Sequence, residues 1–219
     1  MTRETDIFTD MRHRLVSGGF NHGSRLKPDD IRINYGVSAT SMREILFRLA
    51  TIGLVEFREQ RGFRVPQLDR NLQHELTHMR ILLESEGAVL SIRNGGIAWE
   101  SRLSAAHHKL SHIESRITIN ESSQDLIDLW SQAEQEFHET LIDACGSDLL
   151  RRNHLVVYHQ FRPQLITQDQ KFIFVPENVE QHRGILDAAL DRNETLVRDL
   201  IFQHLERNFT RTLKTIAAP

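Results

Sequence analysis

The stretch "LKPDDIRINYGVSATSMREILFRLATIGLVEFREQRGFRV", residues 26–65, decides the fold of this 219-residue chain. Its central part, "VSATSMREILFRL" (37–49), begins with small polar residues and continues with an arginine in front of an apolar stripe. The stripe has the spacing of one helical face: Met42, Ile45, Leu46 and Leu49. Ser38 precedes it and is a favourable N-cap. By itself, such a helix does not distinguish a DNA-reading helix from an amphipathic helix packed on a core, and the second is commoner.

The segments around this helix complete an informative order of elements. Apolar residues repeat at helical spacing over 5–17, and Pro28 suits the first turn of a second, short helix. Gly53 ends the central helix, and two short β-prone runs joined by a polar turn at Gly62 follow as a hairpin. Helix, helix, turn, helix and hairpin is the order of a winged helix-turn-helix. We expect this domain to span residues 1–67.

The polar face of the central helix predicts contacts with double-stranded DNA. Arg43 lies away from the apolar stripe and can donate hydrogen bonds to guanine or to phosphate. Short hydroxyl side chains beside it let the backbone approach the duplex, and the arginines of the hairpin add positive charge. The predicted DNA-binding residues are Ser38, Thr40, Ser41, Arg43, Arg61 and Gly62.

The charge of the chain is unevenly distributed. A formal net charge of −3 does not by itself suggest nucleic-acid binding. Residues 1–65, however, carry 11 Lys and Arg against 8 Asp and Glu, whereas the rest carries 16 against 22. An acidic protein can therefore contain a mildly basic DNA-binding module at its front.

Composition also narrows the cellular location. No apolar run approaches the ~20 residues that a membrane span needs. The first residues, "MTRETDIFTDMRHRL", lack the apolar segment of a secretion signal. The single cysteine, Cys145, excludes an internal disulfide and fits a reducing compartment. We therefore expect a cytoplasmic protein with no membrane partner.

The remainder of the chain, residues 68–219, has helical periodicity almost throughout. The longest stretch without it is "TQDQKFIFVPE" (167–177). An all-helical antiparallel bundle is therefore predicted after the winged helix, which makes the chain mainly α. The predicted helices cover 69–93, 97–118, 121–145, 147–166, 176–191 and 193–215.

Four polar residues in this bundle occupy core-facing positions. Glu134 and His138 lie four apart on the apolar stripe of one helix, so their side chains point the same way. His182 and His204 occupy the apolar faces that we assign to the last two helices. A single buried histidine usually finds its own hydrogen bond, but four such residues together favour a shared divalent metal. Three imidazoles and a carboxylate suit zinc, nickel, manganese or iron.

Other histidines show that a spacing of four residues is by itself weak evidence for a metal site. The pairs His74 with His78 and His108 with His112 are also four apart, but we expect them in solvent because they lie off their apolar stripes. His154 borders the apolar face of its helix and is a possible additional polar group in the pocket.

An arginine in the first helix of the bundle permits two interpretations. Arg80 lies beside the stripe Leu76, Met79, Leu83, Gly87 and Leu90, with Glu84 one turn later. The first interpretation is a salt bridge between Arg80 and Glu84 at the helix surface. The second is an effector-binding arginine that reaches the metal pocket and grips the carboxylate of a ligand.

These residues together resemble a known family. The first part is similar to the DNA-binding domain of GntR-type bacterial transcription regulators, through GVS (36–38), Arg43-Glu44, Leu49, Gly53-Leu54-Val55 and Arg61-Gly62. The helical part resembles the FadR-type ligand-binding domain of that family, often called FCD. The pattern there is an early arginine, an acidic residue four before a histidine, and two histidines about twenty apart. Its counterparts here are Arg80, Glu134, Phe137-His138, His182 and His204.

The resemblance implies a homodimeric, metabolite-responsive regulator rather than an enzyme. In the family the helical domain binds a divalent metal whose coordination a small organic acid, such as a sugar acid or carboxylic acid, completes. The helix after Ser38 would enter the major groove. The chain departs from the family in having Ala39 where many members have arginine, and Glu134 where most have Asp or Asn. It also has acidic Asp29 and Asp30 before the turn, and His22-Gly23 in place of a proline-glycine.

Two alternatives to the metabolite-responsive regulator follow from the same residues. One is a metal-dependent enzyme on the helical domain, in which an open metal position activates water and His154 or Tyr158 assists. The other is a direct metal sensor, in which the ion itself is the signal.

Overall fold

The computed structural model describes residues 3–117, 124–165 and 176–210. Within these ranges the chain forms nine helices and three short strands. The elements in chain order are α1 (Arg3–Val16), β1 (Arg25–Leu26), α2 (Pro28–Tyr35), α3 (Ala39–Thr51), β2 (Glu56–Arg58), β3 (Gly62–Arg64), α4 (Arg70–Asn94), α5 (Ile97–Glu114), α6 (Gln124–Leu141), α7 (Asp148–Gln164), α8 (Glu177–Leu190) and α9 (Glu194–Glu206). The predicted fold class, a winged helix-turn-helix followed by an all-helical part, is confirmed.

The described residues form two compact units. The first contains the chain up to Asp69 together with 159–165, and the second contains 70–158 and 176–210. Within the first unit, the Gln160 amide donates a hydrogen bond to the Ile52 carbonyl oxygen (3.2 Å). The expected domain limits, 1–67 and 68–219, stay predictions.

Local sequence signals set the limits of the helices in the first unit. Gly36 caps α2 in the left-handed conformation (φ 61°), which glycine adopts at little cost. The Ser38 hydroxyl accepts a hydrogen bond from the Ser41 backbone N–H (3.0 Å) and so caps α3. The apolar stripe of α3 is fully buried in the core of this unit: Met42, Ile45, Leu46 and Leu49.

The sheet has one strand more than the sequence indicates. The predicted hairpin is present as β2 and β3, and β1 adds to its other edge in the order β1-β3-β2. Leu26 pairs with Phe63 and its side chain is buried. The sequence of residues 18–26 indicates only a break between helices, because a strand of two residues is too short to show alternation. Pairing with β3, and not local sequence, creates β1.

The helices of the second unit pack in a connected series. Helix α5 packs against α6 and α8, α4 packs against α9, α6 and α8, and α8 packs against α9. Every element of this unit in the described residues is helical, as predicted. None of the described helices is both long and apolar enough to cross a membrane.

One predicted helix end was wrong: α9 ends at Glu206, well before the expected residue 215. Helices α5 and α6 end at Glu114 and Leu141, each four residues before the predicted end, which is within the two to four residues expected of such boundaries. Beyond α6 the chain turns, with the Cys145 N–H bonded to the Ile142 carbonyl oxygen (3.1 Å). Ile142 and Cys145 are buried although they follow α6. The apolar periodicity therefore extends beyond the helix, and for this reason the predicted helix is too long. Predicted helical residues 118, 121–123, 166 and 211–215, and most of the non-helical stretch 167–177, lie outside the described residues.

Two predicted apolar faces are rotated. On α4, Met79 is 44% exposed, whereas Arg80 and Glu84 are buried. On α9, the sequence places His204 on a face with Leu196, Val197 and Leu200. Leu196 is 43% exposed, however, and the buried stripe is Val197, Ile201, His204 and Leu205. Counting apolar residues predicts that the most hydrophobic side of a helix faces the core. The buried side of α4 is different because its polar groups are partnered inside the protein.

Candidate functional site

Four side chains from three helices of the second unit converge. Glu134 and His138 come from α6, His182 from α8 and His204 from α9, and all four are buried. One ligand-type atom from each lies within 4.8 Å of the others. The His182 and His204 ring centroids are 4.7 Å apart, and His138 lies 5.5 and 5.4 Å from them. The structure therefore brings together the four residues for which the sequence predicts a shared metal.

Each of the three histidines has an oxygen partner at Nδ1. The pairs are His138 with Glu84 (2.8 Å), His182 with Glu114 (3.1 Å) and His204 with Gln181 (3.1 Å). A carboxylate or amide oxygen only accepts, so the hydrogen bonds of His182 and His204 favour the tautomer that carries its proton on Nδ1, whereas the contact of His138 with Glu84 is an ion pair without hydrogen-bond geometry. The lone pair of a neutral imidazole is then on Nε2. This is the arrangement in which outer partners orient metal-binding histidines.

The electrostatics of His182 and His204 favour neutral rings. Burial lowers the pKa of His182, and burial together with the neighbouring His182 lowers the pKa of His204 well below its usual value. Both rings are therefore neutral near pH 7. The Nε2 atom of His182 is buried and has no hydrogen-bond partner among the described residues. A buried, unpaired imidazole nitrogen is costly unless a ligand uses it.

Glu84 is the centre of a buried ionic network beside this cluster. Its Oε1 atom accepts from Arg80 Nε (2.5 Å) and lies 2.9 Å from His154 Nε2, while Oε2 lies 2.8 Å from His138 Nδ1. Burial opposes ionisation, but Arg80, His138 and His154 together outweigh it and hold the pKa of Glu84 well below its usual value. Burial also disfavours charged His138, yet the carboxylates of Glu84 and Glu134 together raise the pKa of His138 overall.

Arg80 connects this network to the predicted metal ligand on α6. Its Nη2 atom donates to Glu134 Oε1 (3.2 Å), and its guanidinium lies 5.0 Å from the Tyr158 ring centroid. The Tyr158 hydroxyl donates to Glu134 Oε2. The surface salt bridge considered from the sequence was therefore wrong in one respect. Arg80 does pair with Glu84, but both side chains are buried.

A second carboxylate stands behind His182. Besides contacting His182, Glu114 Oε1 accepts a hydrogen bond from Trp130 Nε1 (3.2 Å), and Glu114 is 2% exposed. Glu114 is not among the site residues predicted from the sequence. A signal was present, because Leu103, Ala106, Leu110 and Glu114 share one buried face of α5. A carboxylate on such a face requires a partner, as the four predicted ligands do.

The five other histidines considered from the sequence lie in different environments. His78, His108 and His112 are exposed, as expected. His74 was expected in solvent, but it is half-buried against the Phe209 ring (4.9 Å between centroids). His154 is buried and belongs to the Glu84 network.

The predicted DNA-binding residues lie on one helix and one hairpin of the first unit. Ser38, Thr40, Arg43 and Arg61 are exposed, and Ser41 and Gly62 are half-buried. The Ser38 hydroxyl caps α3 and lies 3.0 Å from the Ser41 hydroxyl, so both serines also serve the helix start. Gly62 has φ 73°, which permits the tight turn of the hairpin. No DNA contact follows from these positions alone, and the assignments stay predictions.

Comparison with protein families identifies both parts of the chain. A winged helix followed by an all-helical domain is the architecture of a bacterial transcription regulator. Residues 4–65 match the family described as bacterial regulatory proteins, gntR family, and residues 75–207 match the FCD domain. The chain belongs to the GntR family, in the group that carries an FCD domain, and is a DNA-binding transcription regulator. Its family consists of regulators, not enzymes, which answers the enzyme alternative.

Individual relatives agree with this assignment. The chain is 33% identical to the HTH-type transcriptional regulator BphR of Paraburkholderia xenovorans over 93% of its own length and 82% of the relative. It is 25% identical to the HTH-type transcriptional repressor GlaR of Escherichia coli, with 91% of each chain covered. In fold, it resembles E. coli McbR/YncC (TM-score 0.79, 18% identity, 95% of both chains). It also resembles a putative GntR regulator of Rhodococcus sp. RHA1 (TM-score 0.75, 22% identity, 94% and 95% covered).

Proposed function

We propose that this regulator responds to a small organic acid, a sugar acid or carboxylic acid, that binds at a divalent metal in its helical unit. The observation that carries the proposal is the convergence of Glu134, His138, His182 and His204 within 4.8 Å, on three helices. The oriented Nε2 atoms and the unpaired Nε2 of His182 support a cation there. Since bacterial DNA lies in the cytoplasm, we propose that the protein works there.

The donor set and the charge of the pocket both fit a divalent cation. The four ligand atoms lie within 4.8 Å of one another, so modest side-chain movements would bring them to the distance of about 2.0–2.2 Å at which nitrogen and oxygen ligands hold such an ion. The Glu84, Glu114 and Glu134 carboxylates and the Arg80 guanidinium, when all are ionised, carry a formal charge of −2 in a buried region. Zinc, nickel and manganese suit these ligands. Such an ion would supply a Lewis-acidic position for a ligand oxygen.

Arg80 is the residue that we propose for recognition of the acid. Its guanidinium already pairs with the carboxylates of Glu84 and Glu134, so the pocket is built to hold carboxylate against it. If Glu134 turns to the metal, a carboxylate of the effector can take its place on the planar fork. A cleft of about 370 Å³, the size of a small-molecule site, reaches this network through His154.

Effector binding should require both the metal and Arg80. We expect calorimetric titration with sugar acids and dicarboxylates to give binding by zinc- or nickel-loaded protein and none after chelation. Arg80→Lys keeps the charge but removes the fork, so we expect affinity for the acid to fall at least about tenfold. Equal binding of the acid by chelated protein would contradict the metal-bridged mode. A change in DNA affinity caused by metal alone would favour the direct metal sensor.

The proposed DNA interface should depend on Arg43. We propose that a two-fold homodimer binds an inverted repeat, with the N-terminal part of α3 in the major groove. A duplex selected by the wild-type protein from a random library provides the target. Arg43→Ala should weaken binding about 5–100-fold, because a good bidentate contact with guanine contributes roughly 1–3 kcal/mol. Fluorescence anisotropy measures the affinity for DNA. Analytical sedimentation with the duplex measures the number of chains per site, which we expect to be two.

The matched control is an exposed arginine outside the winged helix, in the helical unit. Arg102 pairs with Asp143 on the surface, so Arg102→Ala should leave the affinity for DNA unchanged. Unaltered binding by Arg43→Ala, or binding that is insensitive to salt, would count against the proposed interface.

A further inference from the structure

Three phenylalanine rings form a cluster between α3 and the hairpin. Phe47 lies 4.7 Å from Phe57 and 4.9 Å from Phe63, and the latter two rings are 5.0 Å apart (centroid distances). Phe63 is buried, whereas Phe47 and Phe57 are 38% and 37% exposed. The cluster, Phe47, Phe57 and Phe63, therefore has one anchored ring and two rings that reach the surface.

The guanidinium of Arg43 lies over this cluster. Its Cζ atom is 5.6 Å from the Phe47 centroid and 5.9 Å from the Phe63 centroid. Among the described residues, no carboxylate or carbonyl group pairs with Arg43, so the rings are its contacts. Both distances are within the range in which an aromatic face attracts a cation.

This contact matters because an exposed arginine is otherwise mobile. A long side chain that must be ordered on binding lowers the affinity, and ordering it beforehand recovers part of that loss. The anchored ring of Phe63 fixes Phe47 through edge-to-face packing, which is a favourable aromatic geometry. Phe47 is one helical turn after Arg43 on α3, so the two side chains share a face.

We propose that Phe47, supported by Phe57 and Phe63, is a positioning residue that sets the Arg43 guanidinium for its contact with DNA. The inference rests on the proposed contact of Arg43 with the duplex. On this inference the phenylalanine cluster contributes to sequence recognition. Loss of the Phe47 ring should reduce the preference of the protein for the base pair that Arg43 contacts.

The test uses the full chain and the duplex selected by the wild-type protein. Phe47→Leu keeps an apolar side chain but removes the ring, and we expect two- to fivefold weaker binding, the effect of one exposed cation–π contact. Phe47→Tyr retains the ring and should bind as wild type does. Adding Phe47→Leu to Arg43→Ala should cause no further loss, because the ring acts only through the arginine.

A survey of single base-pair variants supplies the readout that a purely structural role would not change. Phe47→Leu should weaken the preference at the same base-pair position as Arg43→Ala and leave the others unaltered. Phe8→Leu is the matched control, because it removes an equivalent contact with Arg48 (4.4 Å) and should not change DNA affinity.

Three outcomes separate the possibilities. Losses from Phe47→Leu and Arg43→Ala that multiply would overturn the inference, since Phe47 would then act on its own, for example against a thymine methyl group. Binding by Phe47→Leu equal to wild type would also overturn it. If Arg43→Ala itself binds normally, the proposed contact of Arg43 fails, and the inference fails with it.

Discussion

His182→Ala is expected to weaken zinc or nickel binding by more than about 100-fold. Loss of an outer partner alone typically costs 10–100-fold, and His182 would be a direct ligand with a buried, unpaired Nε2 atom. Competition with a chromogenic chelator measures the affinity. Metal at 100 times its Kd stabilises a folded protein by about 2.7 kcal/mol. This corresponds to a rise in Tm of roughly 5–10 °C for a chain of this length, and the variant should lose that rise.

Two further variants make this result specific. Glu114→Gln keeps the shape of the partner of His182 but weakens it as an acceptor, so metal affinity should fall by about 10–100-fold, less than on loss of the ligand. His108→Ala removes an exposed histidine of α5 and should leave affinity and Tm shift unchanged. Retained binding in His182→Ala would show that the four residues form a polar core without a metal.

Glu84→Ala is expected to destabilise the metal-free protein by about 3–5 kcal/mol. The change leaves His154 without its buried carboxylate partner and leaves Arg80 with Glu134 as its carboxylate partner, and breaking a buried ionic pair is strongly destabilising. Urea unfolding followed by circular dichroism, with chelator present, measures the free energy of unfolding without a contribution from metal.

The same helix provides the control for this prediction. Glu86, two residues later on α4, pairs with Arg198 at the surface. The Glu86 side chain is 50% exposed and the Arg198 side chain 42%. Exposed pairs contribute about 0–1 kcal/mol, so Glu86→Ala should have little effect. Equal costs for the two variants would refute the view of Glu84 as the organising charge of the network.

Local signals in the sequence were sufficient for the winged helix. The N-cap at Ser38, the apolar stripe of α3 and the turn at Gly62 each act within a few residues, so they could be read without knowledge of the fold. The strand β1 could not, because a two-residue strand exists only through its pairing with β3.

The candidate site divides in the same way. Glu134, His138, His182 and His204 were recognisable because each is a polar residue on an apolar helical face, and burial of such a residue is costly without a partner. Which partner each one has could not be read from the sequence. The contacts of His138 with Glu84 and of His182 with Glu114 join residues 54 and 68 positions apart.

The sequence by itself therefore determined the class of fold, the position of the helix that we expect to read DNA, and the four converging polar residues. Apolar periodicity and capping residues belong to one helix at a time, so they can be recognised in the sequence without knowledge of the tertiary structure. Only the tertiary structure decided that Arg80 and Glu84 are buried, that Glu84 and Glu114 orient the histidines, and that Phe47 lies under Arg43. These features depend on the rotation of each helix against its neighbours, and packing, not local sequence, sets that rotation.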